Sequence, residues 1–129
     1  MSEALSFEES AICRAPAIEV WKLLHDPIRF TEWWAGVTRI EPTADGVAMY
    51  TGGAPIPTRV TAGPSGSSVV INCLASEDVF VWTLTPHPDG CHVTARVEVS
   101  DGDEKRLSSR RDMIVASLPR LVAAAELRS

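Results

Sequence analysis

The side chains able to move protons, attack carbonyls or hold metals are few in this sequence and widely separated. His25, His87 and His92 show no spacing that would bring two imidazoles to one metal on a single helix or strand. Cys13, Cys73 and Cys91 are an odd number at wide spacing with no CxxC pair, which is neither a zinc site nor a disulfide framework. No metal and no cofactor is therefore expected, and the three thiols are expected to be free. The chain has no nucleophile elbow, no phosphate-binding glycine loop and no dinucleotide fingerprint. An enzyme that cyclises, dehydrates or hydrolyses must move protons with a positioned acid or base. Glu9 is one such group, and Tyr50 is another if its strand has the opposite phase.

Composition narrows the setting in which these groups work. With 129 residues the chain is read as one domain, residues 1–129, large enough for a core. Its 12 basic and 17 acidic residues give a formal charge of -5, and that balance argues against a nucleic-acid or anionic-membrane partner. The N-terminus MSEALSFEES has no basic region leading into an apolar run, and no apolar stretch approaches ~20 residues. Neither a signal peptide nor a membrane span is expected. The expected setting is cytoplasmic, and the expected state is a monomer or weak dimer.

Hydrophobic periodicity places the elements that must position any site. Leu5, Phe7, Ala11 and Cys13 share one strand phase, which is inward. Glu9 falls in that phase, so it must be paired, protonated or at the wet edge, the last being the plainer reading. Pro16 fits a helix start, with Val20, Leu23 and Leu24 on one face, and Asp26-Pro27 repeats the start signal for a second helix of about two turns. Neighbours on a helix lie about 100° apart, so Trp33 and Trp34 are expected to divide, one in the core and one at its rim.

Strands are expected at 37–41 and 47–51, joined through Pro42 and an Asp45-Gly46 turn, and then at 56–62. A Gly63-Pro64-Ser65-Gly66 turn leads to strands 67–76 and 79–85. With Glu77 and Asp78 as a two-residue hairpin tip, Ala75 faces Phe80, Cys73 faces Trp82 and Ile71 faces Leu84. Cys73 is then expected to pack against Trp82 as a small hydrophobe. In the last strand Val93, Ala95, Val97 and Val99 alternate with His92, Thr94, Arg96 and Glu98, which makes His92 outward and leaves His87 in a turn. From Asp103 the period lengthens, with Leu107, Ile114, Leu118, Leu121 and Ala125 on one helical face. Pro119 predicts a kink, or a restart capped by Ser117. Lys105, Arg106, Arg110 and Arg111 read as a solvated face, although Arg110 and Arg111 border the apolar stripe, within reach of a cavity mouth.

Ala15-Pro16, Val20-Trp21, Asp26-Pro27, and then Phe30, Glu32, Trp33 and Trp34 stand in a fixed order after the first strand. In that order and spacing the stretch resembles the START/SRPBCC helix-grip superfamily, in particular its polyketide cyclase/dehydrase-like members. The resemblance implies an α+β fold, β-α-α-β6-α, with a seven-stranded antiparallel sheet curled around a long C-terminal helix. It also implies a cavity for small hydrophobic molecules between sheet and helix. It names no ligand, because the superfamily includes lipid carriers, hormone receptors, cyclases, chaperone cofactors and pollen allergens.

The inward phases collect an apolar lining with almost nothing that titrates near neutral pH. A cavity is expected between Trp33 or Trp34, Met49, Cys73, Trp82 and the helical turn carrying Ile114 and Leu118. Glu9 would be its lone acidic anchor, with Arg110 or Arg111 as countercharge. Binding needs only an apolar cavity and a few orienting polar groups. The first reading is therefore binding or carriage of a small hydrophobic ligand of polyketide, lipid or aromatic type. A polyketide cyclase/dehydrase-like enzyme comes second, and a protein-interaction module third. Short hairpins predict a small cavity, suited to a fused aromatic or short acyl compound.

Overall fold

Strands that alternate apolar and polar residues must bury one face and wet the other. The computed structural model describes residues 5–64, 66–100 and 102–127 and shows them doing so in one sheet. The strands are β1 (Leu5–Cys13), β2 (Arg39–Thr43), β3 (Gly46–Tyr50), β4 (Ile56–Ala62), β5 (Ser68–Cys73), β6 (Asp78–His87) and β7 (Gly90–Val99). They form a 7-stranded sheet in the order β1-β7-β6-β5-β4-β3-β2, antiparallel at every step. The sheet is open, with β1 and β2 at its edges. Pro42 lies within β2, at an edge, where a missing N–H is tolerated. Ser65 of the expected turn lies outside the described residues.

Three helices cover the apolar face: α1 (Ala17–His25), α2 (Phe30–Trp33) and α3 (Glu104–Glu126). Together with the long C-terminal helix, the sheet makes the helix-grip arrangement. Asp26 accepts a hydrogen bond from the Ile28 amide and opens a 3₁₀ turn, Pro27–Arg29, that runs into α2. Val20, Leu23 and Leu24 are buried, as their spacing requires. Trp21 stacks on His25 at 4.0 Å and donates through Nε1 to the Ser68 carbonyl, which ties α1 to β5.

Both Trp33 and Trp34 are fully buried, against the expected division between core and rim. The helical 100° does not apply to Trp34, because it is the residue that ends α2 and already has extended dihedrals, φ -80 and ψ 110. The chain turns there and the two indoles stack, centroids 5.3 Å apart and planes 14° off parallel. Trp33 also donates through Nε1 to the Leu23 carbonyl at 2.9 Å, so its burial leaves no orphaned N–H. A fully buried large apolar side chain stabilises the fold by about 1.5–3 kcal/mol.

The β5–β6 hairpin differs from expectation in register. Its loop is the four residues 74–77, and Ile71 faces Phe80, Val69 faces Trp82, and Cys73 faces Asp78. Cys73 is therefore not the partner of Trp82. Asp78 is not a turn residue but the first residue of β6, and it is fully buried.

In α3, Asp103 caps the N-terminus by accepting from the Arg106 amide at 3.0 Å. The buried residues are Ile114, Ser117, Leu118, Leu121 and Ala125. Pro119 lies inside one uninterrupted helix, and Ser117 caps no restart. Its hydroxyl instead donates to the Met113 carbonyl at 2.7 Å and accepts from the Ala35 amide at 2.9 Å, pinning the loop after α2 to the helix. At the far end of the sheet Cys13 and Cys91 are Cα partners, both free and fully buried. Gly90 (φ 151) fits beside them because a Cβ there would collide with the carbonyl oxygens of Cys13 and Ala15.

Candidate functional site

The inward residues of β3, β5 and β6 do not all meet a helix. Where the first half of α3, the loop after α2 and strands β3 to β6 converge, a cavity of about 270 Å³ remains. Its apolar wall is Trp34, Met49, Ile56, Cys73, Phe80 and Met113. Met49, Cys73 and Phe80 come from inward strand positions, and Trp34 reaches it from the end of α2, its ring edge-on to Phe80 at 5.2 Å. The polar part of the wall is Arg110 with Ser109 and Thr51, and Ala35 and Gly36 close the remaining side. Gly36 has φ +90, a left-handed turn that carries the chain from α2 towards β2.

Behind Arg110 stands an ionic cluster. Asp78 is fully buried, and each of its oxygens accepts from a guanidinium: Oδ1 from Arg106 Nε at 3.1 Å and Oδ2 from Arg110 Nε at 2.9 Å. Arg106 also approaches Asp103, Nη1 to Oδ2 at 3.7 Å. Two of the four basic residues expected on a solvated face are thus spent on a buried carboxylate, which must be paired to lie there. The cluster acts on Cys73. Burial pushes that thiol up to about 11, Arg110 pulls it down and Asp78 pushes it up, with burial the largest of the three.

Of the residues singled out in the sequence, Trp34, Met49, Cys73 and Arg110 stand at this cavity. Trp33, Trp82 and Ile114 are packed in the core behind it, and Leu118 faces a separate groove along β1. Glu9 also lies at that groove. It is partly exposed, 3.6 Å from Arg111 Nε, and belongs to edge strand β1, whereas the cavity lies over β3 to β6. The expected acidic anchor is therefore at the wet edge. Arg111 is its countercharge there and also lies 5.2 Å over the Phe7 ring. Tyr50 points away as well, donating to Glu41 at 2.6 Å on the exposed side.

Sequence reasoning missed Asp78 and Arg106, and did not bring Ile56, Phe80 and Met113 together as one wall. One signal was present: Arg106 and Arg110 are spaced i, i+4, so both sit on one face of α3 and can grip one acceptor. Among the described residues no group of three His, Cys, Asp or Glu side chains could hold a metal, and no helix is long and apolar enough to cross a membrane. Among the same residues, Trp34 Nε1, Trp82 Nε1 and Asn72 Oδ1 are buried without a hydrogen-bond partner, and Trp34 alone of these side chains lines the cavity.

No family model matches the sequence, and no curated protein does. Solved structures do match. The di-domain ARO/CYC StfQ from the steffimycin biosynthetic pathway superimposes with a TM-score of 0.77 at 17% identity, over 98% of this chain and 52% of that one. This chain thus spans about half the length of StfQ, 52%. A protein from Chromobacterium violaceum matches with a TM-score of 0.73 at 16% identity, over 94% of this chain and 97% of its own. A protein from Mesorhizobium loti matches with a TM-score of 0.75 at 15% identity, over 97% and 99%. At these identities the likeness is one of fold, and it is the fold that the resemblance of the Ala15 to Trp34 stretch implies.

Proposed function

We propose that this chain binds or carries a small hydrophobic molecule, of polyketide, aromatic or lipid type, in the cavity bounded by Trp34, Met49, Cys73 and Phe80. The observation that carries this reading is the chemistry of the wall. Among the described residues it holds no His, Asp, Glu, Lys or Tyr, and its one thiol is raised to about 11 and exchanges no proton near neutral pH. Proton-transfer catalysis needs a group poised near the working pH, whereas recognition needs only an apolar enclosure and a few polar contacts. Size supports a compact ligand: an engineered apolar cavity of about 150 Å³ takes benzene, so about 270 Å³ suits two fused rings or a short acyl chain.

A second reading, a polyketide cyclase/dehydrase-like enzyme that works by shaping its substrate, is favoured by the likeness to StfQ. A protein-interaction module, the third, is disfavoured by the cavity itself. The experiment is a titration with the neutral probe 2-methylnaphthalene, followed by tryptophan fluorescence and by the rate at which a small methanethiosulfonate labels Cys73. Binding in the cavity should change the emission and slow the labelling, and Trp34→Phe should reduce the emission change. If saturating probe leaves both signals unaltered, the reading fails.

A further inference from the structure

We infer that the ligand of this cavity is a carboxylate, an aromatic or short-acyl acid whose carboxyl group is anchored by Arg110. The inference rests on the proposal that the cavity binds a small molecule and adds to it the charge of that molecule. Arg110 lines the cavity, yet its Nε is committed to Asp78 Oδ2 at 2.9 Å. Its Nη groups have no partner among the described residues. They are the part of the side chain left to meet a ligand.

The charge count around it points the same way. The fully buried Asp78 carboxylate is shared by two guanidiniums, and its other oxygen is taken by Arg106 at 3.1 Å. Arg106 is itself shared with the half-exposed Asp103, Nη1 to Oδ2 at 3.7 Å. The Cys73 thiol, raised to about 11, is neutral near pH 7 and offers no negative charge. Of the described side chains that line the cavity Arg110 alone is charged, and it stands beside an apolar wall. In such a low-dielectric place a guanidinium gains most from a planar anion that takes two parallel N–H bonds, and a carboxylate has that geometry. Asp78 is by this account a positioning residue. It pins the Arg110 fork so that little side-chain freedom is lost when the acid binds.

The test compares an isosteric pair, 2-naphthoate and 2-methylnaphthalene, by calorimetric titration at pH 7. The wild-type chain should bind naphthoate tighter by about tenfold or more, the scale of a charge-assisted hydrogen bond. Arg110→Gln should abolish that preference, naphthoate losing about tenfold or more in affinity beyond whatever methylnaphthalene loses. Asp78→Asn should shrink the preference without matching loss of methylnaphthalene affinity, a split that general unfolding would not give. The wild type alone supplies a further measure: naphthoate affinity should fall between low and high salt, and methylnaphthalene affinity should not. Equal binding of the two probes, or a preference that survives Arg110→Gln, overturns the anchor and leaves the cavity reading standing. Binding of neither probe overturns both.

Discussion

Cys73 and Asp78 are Cα partners at the closed end of the β5–β6 hairpin, one facing the cavity and the other held by Arg106 and Arg110. A thiolate and a carboxylate at one rung would repel. Here the carboxylate is neutralised by two guanidiniums, and burial keeps the thiol protonated up to about 11. The rung joins the lining of the cavity to the ionic cluster behind it.

The first expectation is kinetic. Only the thiolate reacts, so the native labelling rate of Cys73 should stay low at pH 7 and keep climbing about tenfold per pH unit towards 11. The urea-unfolded chain should level off near the ordinary value of 9.0. A native profile that levels with the unfolded one would show an open site.

Stability should follow the same groups. Cys73 and Cys91 are both raised by burial to about 11, so between 9 and 11 the unfolded chain has given up thiol protons that the folded chain keeps. Fewer protons on the unfolded state means that stability falls as pH rises through that window. For Cys73 the loss amounts to about 2–3 kcal/mol. Urea midpoints measured across the window should drop, and less steeply in Cys73→Ala; equal slopes in the two chains would refute the assignment.

Asp78→Ala leaves Arg106 and Arg110 facing one another without the carboxylate between them. Breaking a buried pair costs about 3–5 kcal/mol, and because both arginines retain some exposure the lower figure applies. Denaturation should register about 3 kcal/mol, with Arg106→Gln costing less, since Arg110 still holds the acid. A near-neutral Asp78→Ala would mean that the cluster contributes nothing to the fold.

Ser117→Ala removes the acceptor of the Ala35 amide and the donor to Met113. A loss of about 1–2 kcal/mol is expected. The more telling readout is hydrogen exchange at Ala35, which should quicken while amides in the centre of β6 and β7 do not. Unchanged exchange at Ala35 would show that Ser117 does not hold the loop.

Gly90→Ala should be among the most damaging single changes available, since its Cβ would meet backbone oxygens on both sides of Arg14. Backbone cannot move aside as a flexible side chain does, and strain of about 2 kcal/mol or more is expected. A thermal midpoint indistinguishable from wild type would contradict the close approach of β7 to the chain leaving β1.

Strand faces are legible in the sequence and hairpin ends are not, for one physical reason. Side-chain direction repeats every two residues, so an even slip changes every partner and no face. Ile71, Cys73, Phe80 and Trp82 therefore stay inward although the β5–β6 tip differs from expectation. At the observed tip Glu77 adopts φ 60, a conformation that local pattern seldom assigns to a residue other than glycine. The ionic cluster is illegible because its members lie 28 and 32 residues from Asp78, and a charged helix face looks the same whether it meets water or a buried acid. Alternation gives Glu9 its face but not its distance across the sheet, and so cannot tell the cavity from the edge.

Pro42, the fourth of the five residues of β2, bears on how this chain behaves in a crowd of its own copies. An open sheet offers its last strand to any passing extended segment, which is how fibrous stacking begins. The strand β2 is only five residues long and carries at its fourth position a ring with no N–H, and Arg39, Glu41 and Thr43 around it are exposed. A strand arriving there could bond on either side of the gap but not across it. One side of the sheet thus has a built-in stop against cross-β growth.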